Sequence, residues 1–229
     1  MNCLQCGSAL SDTAAFCGDC GVSVKGAAAQ SDNSMATIGG AKVEVLAKAA
    51  LKVLKAMVIN PVEDVPRVFA GLEKIVALKT GLVLAGLFDL CAVIGLFLVL
   101  SRLGGSAGLE DVLKLLLLGI VPPLAFTGSS FLAHLAFQGK AGTIESDVFL
   151  AGVSVMPMGL LLLLSGLLGI GNIEVLGLVG VFCLTYTILI LFSGCTRISQ
   201  IATVRAIPAV PIIIIISVWI SKIVYSAMF

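Results

Sequence analysis

Apolar residues are concentrated in the last two-thirds of the chain, in five long segments separated by short polar stretches. These segments lie near 81–101, 112–137, 148–169, 174–195 and 207–228. An α-helix needs about 20 apolar residues to cross the hydrocarbon core of a bilayer, and all five segments meet that length. The pattern therefore predicts an all-α polytopic membrane protein with five transmembrane helices over residues 80–229.

The preceding residues, 41–79, have a helical pattern that is not apolar enough to span a membrane. Within 41–59 the apolar residues share one helical face, and the opposite face carries Glu44, Lys48, Lys52 and Lys55. Two interpretations of this amphipathic helix stay open. Either it lies at the headgroup level with its lysines toward anionic lipid, or it packs on the bundle or on a partner.

Asn60-Pro61 is expected to end this helix, because the residue before a proline avoids the helical region. A second short helix is predicted over 64–79, with Asp64 as its N-cap and Pro66 in its first turn. The small, polar residues 25–40 are predicted to form a flexible linker. The chain is thus divided into 1–24, 25–40, 41–79 and 80–229.

Residues 1–24 contain two short cysteine motifs, Cys3-Leu-Gln-Cys6 and Cys17-Gly-Asp-Cys20, each followed by glycine. Two such pairs can place four thiolates around one tetrahedral metal ion, which suits zinc better than iron or a pair of disulfides. Since the protein supplies all four ligands, no position is left for an activated water. The motifs predict a small zinc ribbon with one structural Zn²⁺.

The ribbon has too few apolar side chains for a core of its own, so metal binding would supply most of its folding free energy. Its thiolates must stay reduced, which predicts that it lies on the cytoplasmic side. The other three cysteines, Cys91, Cys183 and Cys195, stand singly in apolar stretches and are expected to be small buried hydrophobes.

Composition supports a membrane protein and argues against a nucleic-acid partner. Of the 229 residues, 59% are hydrophobic and 12% are charged, and the mean hydropathy is +1.15. A soluble domain has about 25% charged residues. The formal net charge is +1, and no basic block with interleaved aromatic residues occurs.

The distribution of lysine and arginine predicts the orientation of the spans. With the N-terminus in the cytoplasm, eleven of the 14 basic residues fall on the cytoplasmic side and three on the other. The positive-inside rule therefore favours a cytoplasmic N-terminus and an external C-terminus.

Asp89 is the most unusual residue of the predicted spans, since it lies about 14 Å into the first one, from the rise per residue of an α-helix. An unpaired carboxylate there is costly. It is expected either to bond Thr185, Tyr186, Thr187 or a backbone carbonyl, or to belong to an ion or proton path. Only His134 and Lys222 could join such a path, and His134 lies near the cytoplasmic end of the second span, where a histidine can reach the headgroups.

No motif predicts catalysis. The chain has a single histidine and lacks His-Glu-x-x-His and Gly-x-Ser-x-Gly motifs. The serines of Gly128-Ser129-Ser130 have no base partner in sequence other than His134. The protein is therefore not expected to be an enzyme.

Several features of the spans suit either close helix packing or a transport cavity. Ala125, Ser129 and Ala133 form one smooth face of the second span. The same span carries Pro122-Pro123, and Pro157 is expected to break the third span. Packing is the favoured interpretation, because such residues are common in ordinary membrane bundles.

Two stretches support a family resemblance. Residues 137–160 combine a short glycine-bearing loop, the acidic turn Glu145-Ser-Asp147, Gly152 and a proline five residues later. Upstream, Asn60-Pro61 is followed by Val68-Phe69-Ala-Gly-Leu72.

With five predicted spans, residues 57–228 resemble the membrane domain of the YIP (Ypt/Rab GTPase-interacting protein) family, bacterial type. Residues 1–24 resemble the N-terminal zinc ribbons of many prokaryotic membrane proteins. The resemblance implies a five-span fold and no catalytic residues. Eukaryotic members bind prenylated Rab GTPases in vesicle trafficking, a role that the resemblance does not extend to this chain.

Together these features predict a non-enzymatic integral membrane protein. The expected role is an adaptor or membrane-organising scaffold that contacts lipids and binds proteins through its cytoplasmic ribbon, as a homo- or hetero-oligomer. Two alternatives stay open: a small transporter or channel that uses Asp89, and a constitutive accessory subunit of a larger membrane complex.

Overall fold

A computed structural model of the chain describes residues 40–102, 109–169 and 173–228. The predicted zinc ribbon, the linker up to residue 39 and their four cysteines lie outside the described residues. The described residues contain no strand and form seven α-helices: α1 Gly40–Ile59, α2 Asp64–Ala70, α3 Lys74–Arg102, α4 Leu109–Ala136, α5 Ile144–Leu168, α6 Ile173–Ser193 and α7 Thr203–Met228. A π-helical turn, Gly194–Ile198, continues α6.

Five of these helices are long and apolar enough to cross a membrane. The spanning segments are Lys74–Arg102, Val112–Ala136, Ile144–Leu168, Ile173–Ile198 and Thr203–Ala227. Their outer surfaces carry many exposed apolar side chains, such as Leu178 and Ile207. A water-exposed surface of this kind would be unfavourable, whereas lipid solvates it. Within the described residues, the predicted all-α architecture with five helices long and apolar enough to span a membrane is confirmed.

Helix α5 is the centre of the bundle, because it packs against α3, α4 and α6, while α7 packs mainly against α4. The closest pair is α3 with α5. Their contact is lined by glycines at seven-residue or fourteen-residue spacing: Gly81 and Gly95 on α3, and Gly152, Gly159 and Gly166 on α5. A seven-residue spacing keeps these positions on one face of each helix along a left-handed crossing.

The backbones of α3 and α5 touch at these glycines. A Cβ atom at Gly81 would lie 2.6 Å from the Cα of Phe149, and one at Gly166 would lie 2.8 Å from the Cα of Gly95. A Cβ at Gly152 would meet the carbonyl oxygen of Gly81. Any side chain larger than hydrogen would therefore push the two helices apart.

The α4–α7 contact uses the small-residue face predicted for the second span. Ala125, Ser129 and Ala133 are all buried. Ser217 Oγ on α7 donates a hydrogen bond to Ser129 Oγ, with 3.1 Å between the oxygens. This face is therefore buried inside the bundle, as close helix packing requires.

Helix α1 packs on the bundle. Val53 and Ala56 of α1, with Val65 of α2, belong to the main buried cluster of apolar side chains. The charged face of α1 stays exposed, where Lys48 pairs with Glu44 at 2.6 Å. Of the two interpretations left open by the sequence, contact with the bundle is therefore correct for one face of the helix.

The boundary of α2 corrects the prediction of a helix over 64–79. Helix α2 stops at Ala70, and residues 74–79 already belong to α3. The last turn of α2 tightens, since the N–H groups of Gly71 and Leu72 donate to carbonyls only three residues back. The N-cap is Glu63 rather than Asp64. The end of α1 at Ile59, before Asn60-Pro61, is as predicted.

The prediction that Pro157 breaks the third span is wrong, because α5 is continuous from Ile144 to Leu168. Helix α4 likewise runs through Pro122 and Pro123 without a break. Prolines inside membrane helices are tolerated when neighbouring groups satisfy the freed backbone.

Candidate functional site

The most buried pair of ionisable side chains in the described residues joins α4 to α5. His134 Nδ1 lies 2.8 Å from Asp147 Oδ2, and the two side chains are 8% and 0% exposed. The distance is that of an ion pair, but the atoms do not meet the angular requirements of a hydrogen bond. A carboxylate removed this fully from solvent needs such a partner.

Local structure around the α4–α5 loop holds the pair in place. Thr143 and Ser146 form a reciprocal capping box that starts α5, with Ser146 Oγ 2.9 Å from the Thr143 amide and Thr143 Oγ1 3.3 Å from the Ser146 amide. Asp147 follows in the first turn of the helix, where the helix dipole favours a negative charge. A Cβ at Gly142 would lie 2.5 Å from His134 Cγ, so the loop closes directly over the imidazole.

His134 does not extend toward the headgroups in this structure, because its imidazole turns inward toward Asp147. Asp147 is a site residue that was not predicted from the sequence. A signal was present, since Asp147 shares the helical face of Leu150, Ala151 and Ser154, all of which are buried. An acid at such a position needs a partner, and His134 lies just across the loop.

Asp89 lies on α3, and one of its oxygens is buried. Asp89 Oδ1 has no hydrogen-bond partner among the described residues and lies against Gly119 of α4. A side chain at position 119 would collide with the carboxylate. Gly119 thus provides the space that Asp89 occupies.

The three residues expected to satisfy Asp89 form hydrogen bonds elsewhere. Thr185 Oγ1 donates to the Val181 carbonyl at 2.8 Å, and Thr187 Oγ1 donates to the Ser154 carbonyl at 3.1 Å. The Tyr186 hydroxyl lies 3.5 Å from the Val58 carbonyl. The expected hydrogen bonds to Asp89 are therefore absent from the described part of the chain.

The structure does not bring Asp89, His134 and Lys222 together as a relay. His134 is paired with Asp147, and Lys222 has no carboxylate partner within the described residues. The serines near His134 do not bond it either. Ser129 accepts from Ser217, and the buried Ser130 Oγ has no partner within the described ranges.

A cavity of about 580 Å³ lies between α5 and α7. Its walls are almost wholly apolar and include Phe88 of α3, Phe126 of α4 and Met158 of α5. Hydroxyl groups also line it, among them Ser154, whose Oγ has no partner in the part of the chain described. Protein interiors contain few voids larger than a water molecule, so this space is a distinct feature of the bundle.

Two of the three single cysteines are as predicted. Cys183 and Cys195 are free and buried, whereas Cys91 is only half-buried. Across residues 40–102, 109–169 and 173–228, no cluster of three or more histidine, cysteine or acidic side chains could hold a metal ion. The predicted zinc ligands Cys3, Cys6, Cys17 and Cys20 lie outside these ranges.

Comparisons with models of known protein families, with curated proteins and with solved structures found no match.

Proposed function

We propose that the protein is a non-enzymatic membrane adaptor, in which a zinc ribbon on the N-terminal tether binds a protein partner and the five-span bundle holds it at the membrane. The observation that carries this proposal is the pair of Cys-x-x-Cys-Gly motifs in the same chain as five long apolar helices. A site with four protein ligands is structural, so its use is to present a folded surface.

The orientation that fits this role puts the ribbon in the cytoplasm and the C-terminus outside, in the inner membrane of a prokaryotic cell. Two independent arguments support it. Zinc-binding thiolates need a reducing compartment, and lysine and arginine are concentrated on the ribbon side. The proposed kinship with the YIP family rests on the resemblance of residues 57–228 and agrees with this orientation.

Crosslinking in intact membranes, followed by mass spectrometry, tests the adaptor function. We expect the full chain to crosslink to a defined set of cytoplasmic proteins. A variant with Cys17→Ser and Cys20→Ser should lose that set, because it cannot complete the zinc site. Cys91→Ser is the matched control, since it removes a half-buried thiol from a span and leaves the motifs intact. The same partners with and without an intact motif would exclude the proposal.

A small transporter or channel is the second candidate. It is favoured by the cavity between α5 and α7 and by the buried, unpartnered Asp89 Oδ1, which follows the cavity-lining residue Phe88 in sequence. Asp89→Asn should then abolish flux in proteoliposomes. Glu110→Gln is the control, because Glu110 is an exposed carboxylate paired with Lys114 at 2.8 Å. Unchanged flux in Asp89→Asn would remove this candidate.

A further inference from the structure

The cavity between α5 and α7 is open to the side of the bundle. Leu184 of α6 and Val218 of α7 both line it, and they are 42% and 59% exposed. Both residues lie in the middle part of a spanning helix. The opening therefore lies at the depth of the hydrocarbon core, where the molecules available to enter are lipid chains.

The size and lining of the cavity suit an apolar chain. An apolar cavity of about 150 Å³ stays dry and takes up benzene. The present cavity, at about 580 Å³, has room for a much longer hydrocarbon. Its walls include Val155, Met158 and Leu162 of α5.

Lys222 stands at one end of the otherwise apolar cavity. Lys222 lines it, is exposed, and has no carboxylate partner among the described residues. Lys222 stands near the end of α7, which runs to Met228. A lysine close to the end of a spanning helix reaches the headgroup layer, where its ammonium group can pair directly with the phosphate of a lipid.

We propose that this cavity is a binding site for an anionic phospholipid: one acyl chain enters between α6 and α7, and the headgroup phosphate lies at the Lys222 ammonium group. The site is independent of the zinc ribbon and of the adaptor function. It gives the bundle a preference for one class of lipid, in addition to the unselective contact of its outer surface with the bilayer.

The test uses the full chain in phosphatidylcholine nanodiscs that contain phosphatidylglycerol with a photoreactive group on one acyl chain. Peptide mass spectrometry locates the labelled residues. We expect labelling of the cavity-lining parts of α5 and α7, with unlabelled phosphatidylglycerol competing and added phosphatidylcholine not competing. Equal labelling of these residues by a photoreactive phosphatidylcholine would show contact without selectivity and would overturn the proposal.

Two pairs of variants separate the site from general lipid contact. Val218→Trp should block the opening and remove cavity labelling, whereas Ile215→Trp, at an exposed position of α7 outside the cavity lining, should not. Lys222→Gln should weaken competition by phosphatidylglycerol about fivefold, and Lys222→Arg should restore it. Because these positions are exposed, the variants should fold. The proposal would be contradicted if Val218→Trp left cavity labelling unchanged, or if Lys222→Gln left competition by phosphatidylglycerol unchanged.

Discussion

At the residue scale, glycine sets the distance between α3 and α5. Gly81 and Gly152 face each other where the two backbones meet, and a Cβ at either position would collide with backbone atoms. Other glycines of the same spans have free space beside them. A Cβ at Gly86 or Gly128 would have no neighbour within 4 Å. The two groups share a residue type but differ in what surrounds them, which makes a matched comparison possible.

Gly81→Ala is expected to destabilise the bundle by about 1–3 kcal/mol, the usual effect of extra volume in a packed contact. The new methyl group would lie 2.6 Å from the Phe149 Cα, a backbone atom that cannot move away alone. Gly86→Ala, on the same helix, should leave stability unchanged or raise it by up to about 1 kcal/mol through helix propensity. Thermal unfolding in a mild detergent measures both, and equal midpoints would contradict the close contact.

The His134–Asp147 pair is the second feature in which a single side chain is expected to affect stability. Removing one member of a buried pair leaves the other uncompensated, so Asp147→Ala should cost about 3 kcal/mol. The double variant His134→Ala/Asp147→Ala should be more stable than the sum of the two single effects implies, by about 1 kcal/mol or more. A double-mutant cycle on the free energy of unfolding measures this coupling. Strictly additive effects would mean that the 2.8 Å contact between His134 Nδ1 and Asp147 Oδ2 contributes nothing to the free energy of unfolding.

At the element scale, α1 has three faces rather than two. Ala49, Ala50 and Val53 are buried, and the lysine face is exposed. Between them runs a third face, an exposed apolar stripe formed by Val43, Leu51 and Val58. Apolar residues beside lysines are typical of helices that lie in the headgroup layer. We infer that α1 contacts the bundle with one face and lipid with the next.

A photoreactive amino acid placed in turn at three positions of α1 tests this arrangement. At Leu51, which is 65% exposed, it should crosslink to lipid. At Val53 it should crosslink to the bundle, and at Lys55 it should react mainly with water. Mass spectrometry of the crosslinked full chain in native membranes identifies the products. Lipid adducts at Lys55 but not at Leu51 would show that the stripe does not face the bilayer.

Helix α5 shows which features of the fold can be predicted from the sequence and which cannot. Its length and apolar content are enough to predict a span, because these follow from local composition. Its continuity through Pro157 depends on the surrounding bundle, so local rules predicted a break that does not occur. The glycines of its contact with α3 are spaced at seven residues in the sequence, but a spacing does not reveal which helix it faces.

The same limit applies to the candidate sites. Asp89 is conspicuous in the sequence because it is an acid in an apolar run. Asp147 stands in the sequence only as part of an acidic turn, although it is the more deeply buried acid in the structure. Its importance depends on a contact with His134 across the loop, and the cavity depends on how five helices pack. Such features arise from tertiary contacts, so a single sequence gives only a weak signal for them.

At the scale of the whole molecule, the described residues form a helical bundle with five helices long and apolar enough to span a membrane. Their exposed surface is largely apolar, and their buried ionisable pair lies at the end of the bundle where α4 passes into α5. The proposed adaptor function requires a second part, the ribbon predicted from the cysteine motifs, which is expected to fold only around its metal. The two parts depend on different interactions for their stability. The bundle depends on lipid and helix packing, whereas the predicted ribbon depends on four thiolates.

The zinc content of the full chain, purified from membranes and measured by elemental mass spectrometry, tests the proposal most directly. We predict one zinc per chain for the native sequence and for Cys91→Ser, and none for a variant with Cys3→Ser and Cys6→Ser. A native chain that retains no zinc, or a double variant that keeps it, would contradict the account.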